Sequence, residues 1–469
     1  MIVPERVYGI VVPIGVLGFS VFWISRLMRN KHALQETEEG RAGISIADMR
    51  DPSIRANHLE FNQFLIEKYP DADAIELNDR LGGDKVFLVH RYERVLEVTN
   101  NHETFTSNPW PGRRSVVTLN TMEKHDHDRI LRLIRKFYTP SAVASMEGMI
   151  ANLVEEHGKK LLIDGDVYQF SKRLHMHLSL ITSGVAKDVD ATSPVIDEFI
   201  LYNDNAVKIT APLGGVGGQK QLSVKRLWGF ISGLVRSIPG TCALVNRIGV
   251  KSAWKLLSPL EAIFPSTPYT HIWDYPQDLP LIVKYFNRLY DCMSSASQES
   301  PAGVLYTRIN VDITSAEALG TAVQLMVNMT TANAIQSLLF RRCFENDVTT
   351  ERILKLDAPL QRNPRRAIND TNIGSVTVPK GSVVLLMVGA ANMTCPRNAA
   401  ALTFGFGLHQ CIGRHLVSLE LGIVRQWMSK YLETHSMQIV GIPVRLTKID
   451  VGNWGFQSLF VRFEPKQLV

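Results

Sequence analysis

The chain has 469 residues, 45% of them hydrophobic and 20% charged, with a formal net charge of +6. That length and apolar content support one large domain or two average ones around an extensive core, and exclude a disordered chain. The basic excess is spread thinly, without the dense Lys/Arg blocks of a nucleic-acid binder. The five cysteines are an odd number, widely spaced and without a C-x-x-C pair, so they point to a reducing compartment with at most one chemically active thiol.

Taken in chain order, residues 1–30 differ in kind from the rest. The run 7–24 (VYGIVVPIGVLGFSVFWI) carries no charge and is followed by Arg26, Arg29 and Lys31. It is long enough to span a bilayer, and the cations after it predict a single-pass anchor with the following chain on the cytoplasmic side. A cleaved signal peptide is the competing reading, against which stand the length of the run and the lack of a small-residue cleavage site. Residues 31–54 are polar and read as a linker, with the body spanning 55–469.

Between Asp73 and Val98, short β-rich runs (AIEL, KVFLV) flank Gly82 and Gly83 and predict a small sheet. Helical periodicity then dominates, over 122–137, 141–162, 178–208, 273–297, 314–342 and 412–433. The stretch 209–272 is Gly-rich, then rich in Trp, Leu and Ile with interspersed cations. It suits either a surface against an anionic membrane or apolar pocket, or an ordinary helix pair packed on the core. Residues 373–388 predict a hairpin turning at Pro379-Lys380-Gly381, followed by a buried strand. The fold class is mainly α with small β-sheets.

The residues 404–413, F-G-F-G-L-H-Q-C-I-G, are the most informative stretch. Glycines at 405, 407 and 413 let the backbone approach a flat ligand. A helix begins just after Cys411, so its end N–H groups favour a thiolate at that sulfur. A thiolate so placed can bind iron and push electron density onto it.

Phe404, Gly407, Cys411 and Gly413 match the F-x-x-G-x-x-x-C-x-G loop of the cytochrome P-450 family, and His409 sits where that family has a basic residue facing a haem propionate. The resemblance runs from about residue 55 to the end. It implies a P-450-like fold, haem b held by Cys411, and propionates neutralised by His127, Arg132, Arg365 and His409. Arg132 and Arg129 flank Leu131, which takes the expected arginine position. The stretch M-V-N-M-T-T over 326–331 resembles the oxygen-activating segment and implies proton delivery by Thr330, although Met329 replaces the usual acid and Val327 the usual glycine.

One further departure is larger. Where the family carries its Glu-x-x-Arg helix, this chain reads Arg352-Ile-Leu-Lys355, and two cations so spaced cannot form the buried ion pair. The chain is also short between Thr331 and Arg352, and between Asn392 and Phe404. Either other packing holds the haem loop or coding segments are missing.

The resemblance implies a membrane-anchored monooxygenase, facing the cytoplasm from the endoplasmic reticulum. It would draw electrons from an NADPH-dependent flavoprotein reductase and oxidise a lipophilic small molecule of secondary metabolism, with no role for nucleic acid. A haem-thiolate isomerase, dehydratase or peroxygenase, for which Met329 speaks, and a degenerate non-catalytic paralogue are the alternatives.

Overall fold

The computed structural model describes residues 43–107, 118–210, 279–446 and 454–466, apart from 46, 47, 50, 52, 53, 55, 82, 83, 327 and 328. The run 7–24 and the segment 211–278 lie outside the described residues. Among the described residues, no helix is long and apolar enough to cross a membrane.

A small sheet and its two flanking helices make up one part of the body. Helix α1 (His58–Lys68) precedes strands β1 (Ile75–Leu81) and β2 (Asp84–Val89), then α2 (Tyr92–Asn100) and β3 (Phe105–Thr106). Later in the chain come β4 (Asn363–Ala367), a small β5/β6 pair (Thr371–Ile373, Val376–Val378) and β7 (Val383–Leu386). The five-stranded sheet has the order β1-β2-β7-β4-β3, with β2 and β7 parallel and β4 antiparallel to β7.

Strand side chains alternate between faces. Val86, Leu88, Val383 and Leu385 bury one face against Phe61 and Leu65 of α1, while Phe87, Val89, Val384 and Leu386 bury the other against Val95 and Val98 of α2. Both faces being covered explains why β2 and β7 read as unbroken apolar runs. Ile44 and Met49, within the span read as linker, also pack into this cluster and are nearly inaccessible. The packed body therefore begins by Ile44.

The helical part contains α3 (Lys124–Ile134), α4 (Pro140–Ala144), α5 (Glu147–Asp164), α6 (Val167–Ser183), α7 (Pro194–Thr210), α8 (Leu279–Ser295), α9 (Pro301–Thr307), α10 (Ser315–Leu325), α11 (Met329–Arg342) and α12 (Thr350–Leu356). Helix α13 (Val388–Met393) follows β7, α14 (Arg414–Tyr431) follows the cysteine loop, and β8 (His435–Arg445) and β9 (Phe456–Pro465) form an antiparallel ribbon. One core joins α5, α6, α11 and α14 through Val154, Leu174, Leu338 and Val424, and a second joins α6, α7, α8 and α10. Ile412, next to Cys411, packs against both.

The ribbon ties distant elements together. Val461 N–H donates to the Gly165 carbonyl at 2.9 Å, Phe456 N–H to Gln336 Oε1 at 2.8 Å, and Trp454 N–H to the Pro359 carbonyl at 2.8 Å.

Several predicted boundaries are corrected. The span 178–208 is two helices: α6 starts earlier, capped by Asp166, and ends at Gly184, whose φ of +78° suits glycine. The span 314–342 opens with the capping box of Thr314 and Glu317, but is interrupted after α10 and resumes at Met329. The span 141–162 divides between α4 and α5, and the end of the β-rich region 73–98 is helix α2. The hairpin turns at Gly374 and Ser375 between β5 and β6, whereas Pro379, Lys380 and Gly381 lead into the fully buried β7 of the other sheet.

Candidate functional site

The loop before α14 makes two tight turns. A 3-10 turn (Leu402–Phe404) leads to Gly405 at φ +67°, and a second (Gly407–His409) starts with φ +64° at Gly407. A Cβ on Gly405 would stand 3.1 Å from the His409 carbonyl oxygen, and one on Gly407 would stand 2.8 Å from Asn100 Oδ1, so both positions require glycine. Cys411 N–H donates to the Phe404 carbonyl at 2.7 Å, which closes the loop on itself. Phe404 and Gly413 are half-buried within it.

Cys411 is solvent-accessible although protein lies densely around its sulfur. Burial pushes its thiol pKa up, while the Gly413 N–H and Arg414 pull it down. Burial wins, so the helix end does not by itself favour the thiolate as the sequence suggested. A coordinating metal cation supplies the charge that deprotonates such a thiol.

Three basic side chains meet beside this loop. His409 Nε2 lies 2.8 Å from Ser107 Oγ, and its ring stands edge-on to His127 with centroids 5.0 Å apart. Burial, then Arg365, then His127 hold the His409 pKa down at about 3. His127 is 3% exposed, and burial lowers its pKa too. Its Nδ1 is 3.6 Å from Asp128, beyond hydrogen-bond range, and is buried without a hydrogen-bond partner, while the Leu119 backbone acts to raise the His409 pKa.

Arg365, on β4, is 5% exposed and bonds only to Asn363 Oδ1 at 3.0 Å and the Pro364 carbonyl at 2.8 Å. Burial lowers its pKa to about 10, and no carboxylate pairs with it among the described residues. A buried guanidinium and the orphaned His127 nitrogen are costly unless an anion joins them. The residues present therefore fit a group with a metal for Cys411 and carboxylates for the cluster, as haem has.

The other predicted residues lie elsewhere. Arg132 is exposed in a surface groove with His125, Asp128 and Arg135, and its Nε donates to the Asp128 carbonyl at 3.2 Å. His127, Ile130 and Ile134 form the buried face of α3, which leaves Arg132 turned outwards. Arg129 is engaged by Glu317 at 2.6 Å and Asp126 at 3.0 Å. Thr330 is half-buried in the first turn of α11, just past the helix interruption. At that interruption Asn203 Nδ2 donates to the Met326 carbonyl at 3.0 Å.

The expected Glu-x-x-Arg pair is absent from α12. Arg352 points outwards to Glu345 at 2.5 Å, while Ile353 is the residue buried in the core. A different ion pair lies nearby: Arg341 of α11 grips Asp357 through two nitrogens, one at 3.0 Å. Arg445 stacks over Phe456 at 3.8 Å and Trp454 at 4.1 Å, and its pKa, lowered to about 10 by burial, is raised by Asp357. Ser107, Asn203 and Asn392 escaped the sequence reading, because a lone polar residue with a distant partner has no local signature.

The structure thus sets a thiol in a glycine-turned loop before a long helix, beside buried basic groups. No family model matches the sequence. Cytochrome P450 130 of Mycobacterium tuberculosis is 37% identical over 78 residues, 13% of this chain and 19% of that protein, so the match spans about a fifth of the relative's length. A cytochrome from Bacillus megaterium, CYP109E1 in complex with testosterone, superposes with a TM-score of 0.62 at 18% identity, covering 88% of this chain and 99% of the other. MycCI, the mycinamicin VIII C21 methyl hydroxylase of Micromonospora griseorubida, superposes with a TM-score of 0.60 at 14% identity, covering 85% and 96%. The fold is that of the cytochrome P450 structures, and a part of the sequence is similar to cytochromes P450.

Proposed function

We propose that this chain is a haem-thiolate monooxygenase that inserts one atom of dioxygen into a lipophilic small molecule. The observation that carries the reading is the meeting of the Cys411 loop with the buried basic cluster of Arg365, His127 and His409. Cys411 would hold the iron of haem b, and the three basic groups would hold its propionates. Iron bound by a cysteine thiolate supplies oxidising chemistry in which the sulfur's electron push favours O–O cleavage.

The chain's own residues do the rest. Gly405 and Gly407 let the loop backbone lie close to a flat ring, and Phe404 keeps Cys411 in place through its carbonyl. Thr330 holds a proton at Oγ1 for delivery in the cleft. Electrons would come from an NADPH-dependent flavoprotein reductase. Residues 7–24 would anchor the chain in the endoplasmic reticulum membrane and bring it to substrates dissolved there. The solved neighbours in complex with testosterone and bound to mycinamicin VIII suit a bulky, apolar substrate of secondary metabolism.

Met329, where an acid is usual, favours a second reading: a peroxide-using enzyme, or an isomerase or dehydratase, which needs no dioxygen protonation. Turnover with peroxide, and none with reductase and dioxygen, would select it. The main test is the carbon monoxide difference spectrum of reduced wild type and Cys411→Ala. Wild type should give the thiolate-type band and the variant should lose it; a band retained in the variant overturns the assignment.

A further inference from the structure

Resting on the haem-thiolate reading, we propose that Asn392 is a positioning residue that holds the Cys411 loop by an uncharged clamp, in place of a buried ion pair. Asn392 is fully buried in α13. Its Oδ1 accepts from Leu402 N–H at 2.7 Å, and its Nδ2 donates to Thr403 Oγ1 at 2.9 Å. The amide orientation follows from the network: Leu402 N–H can only donate, and the Thr403 hydroxyl gives its own proton to the Leu354 carbonyl in α12.

One side chain thus links α13, α12 and the 3-10 turn, and the next residue, Phe404, accepts the Cys411 N–H. Three hydrogen bonds connect the Leu354 carbonyl to the Leu402 N–H through Thr403 and Asn392, and the backbone then runs two residues to the carbonyl that holds Cys411. A second tether, Tyr92 Oη to the Ala400 carbonyl at 2.9 Å, fixes the preceding part of the connector.

The clamp reaches the loop across the short connector between α13 and Leu402. Arg352, which faces Glu345 on the surface, takes no part in it. A neutral amide suits this place because both its oxygen and its nitrogen find a partner there, so no charge has to be buried.

The test compares wild type, Asn392→Ala and Asn392→Asp by amide hydrogen exchange without haem, and by the carbon monoxide spectrum after haem loading. Asn392→Ala should speed exchange at Leu402 and through Cys411 by roughly ten-fold or more, and shift much of the thiolate-type band to the thiol-type one. Asn392→Asp keeps the shape and the acceptor for Leu402 N–H, so it should restore protection at low pH, where its protonated carboxyl also donates to Thr403, and lose it where the carboxyl ionises, a pH-dependent rescue that general loss of packing would not give. Unchanged exchange and spectrum in Asn392→Ala overturn the clamp. Should Asn392→Ala fail to fold, Thr403→Val removes the two links of the Thr403 hydroxyl with little change in volume and leaves Leu402 N–H on Asn392, and wild-type exchange from Leu402 through Cys411 in that variant overturns the clamp. A wild type that lacks the thiolate-type band defeats the haem reading instead, while the exchange comparison still decides the clamp.

Discussion

His157 Nε2 and His177 Nδ1 lie 3.0 Å apart in the interface of α5 and α6, and His177 Nε2 donates onward to the Val189 carbonyl at 2.7 Å. That second bond fixes the tautomer: His177 carries its proton on Nε2, so its Nδ1 must accept from His157, and the pair is neutral. The rings are 4% and 1% exposed, and Arg173 faces both, with Glu156 and Asp190 near His177.

Burial, then His177 and Arg173, hold the His157 pKa at about 3, far below the ordinary 6.5. Between those values the unfolded chain binds a proton that the folded chain refuses, so stability rises with pH through the window and is complete above about pH 6.5. At pH 5 this single group costs about 2 kcal/mol. His157→Gln keeps a donor for His177 and cannot titrate, so its denaturation midpoint should fall less steeply than wild type's from pH 6.5 towards pH 4. A slope equal to wild type's would remove the pair from the account.

At the interruption between α10 and α11 the buried Met326 carbonyl accepts from Asn203 Nδ2. Asn203→Ala should therefore cost about 1–3 kcal/mol in urea denaturation, the cost of an unsatisfied buried acceptor. A loss within a few tenths would show that the break is satisfied in some other way.

Arg365 gives a prediction of mixed sign. A buried guanidinium without a carboxylate burdens the chain, so Arg365→Leu should leave the haem-free protein as stable as wild type or more so. The same change should weaken haem binding about 10- to 100-fold, the worth of a charge-assisted hydrogen bond. Titration of haem-free protein with haem measures the second effect and thermal melting the first; equal haem affinities would separate Arg365 from the site.

The loop around Cys411 was legible in the sequence because its glycines and cysteine act locally, through turns and backbone approach. Helix ends were harder to read. Apolar periodicity runs on through Gly184 and Met326, and what breaks the helices is a turn in one case and a distant asparagine in the other. On α3, charge pattern did not separate His127 from Arg132, since only the packing of Ile130 and Ile134 decides which face is buried. The Arg341–Asp357 pair was invisible for the same reason: the partners belong to different elements, and nothing in either neighbourhood announces the other.

The β8/β9 ribbon bears on the order of folding. Gly165, Gln336 and Pro359 take their hydrogen-bond partners from Val461, Phe456 and Trp454, far along the chain. Contacts of such long sequence separation form late, because loop closure must precede them. The helices that flank the Cys411 loop can therefore collect first, and docking of the ribbon fixes their registration last. Loosening the ribbon alone would expose the faces of α6 and α11 that it covers.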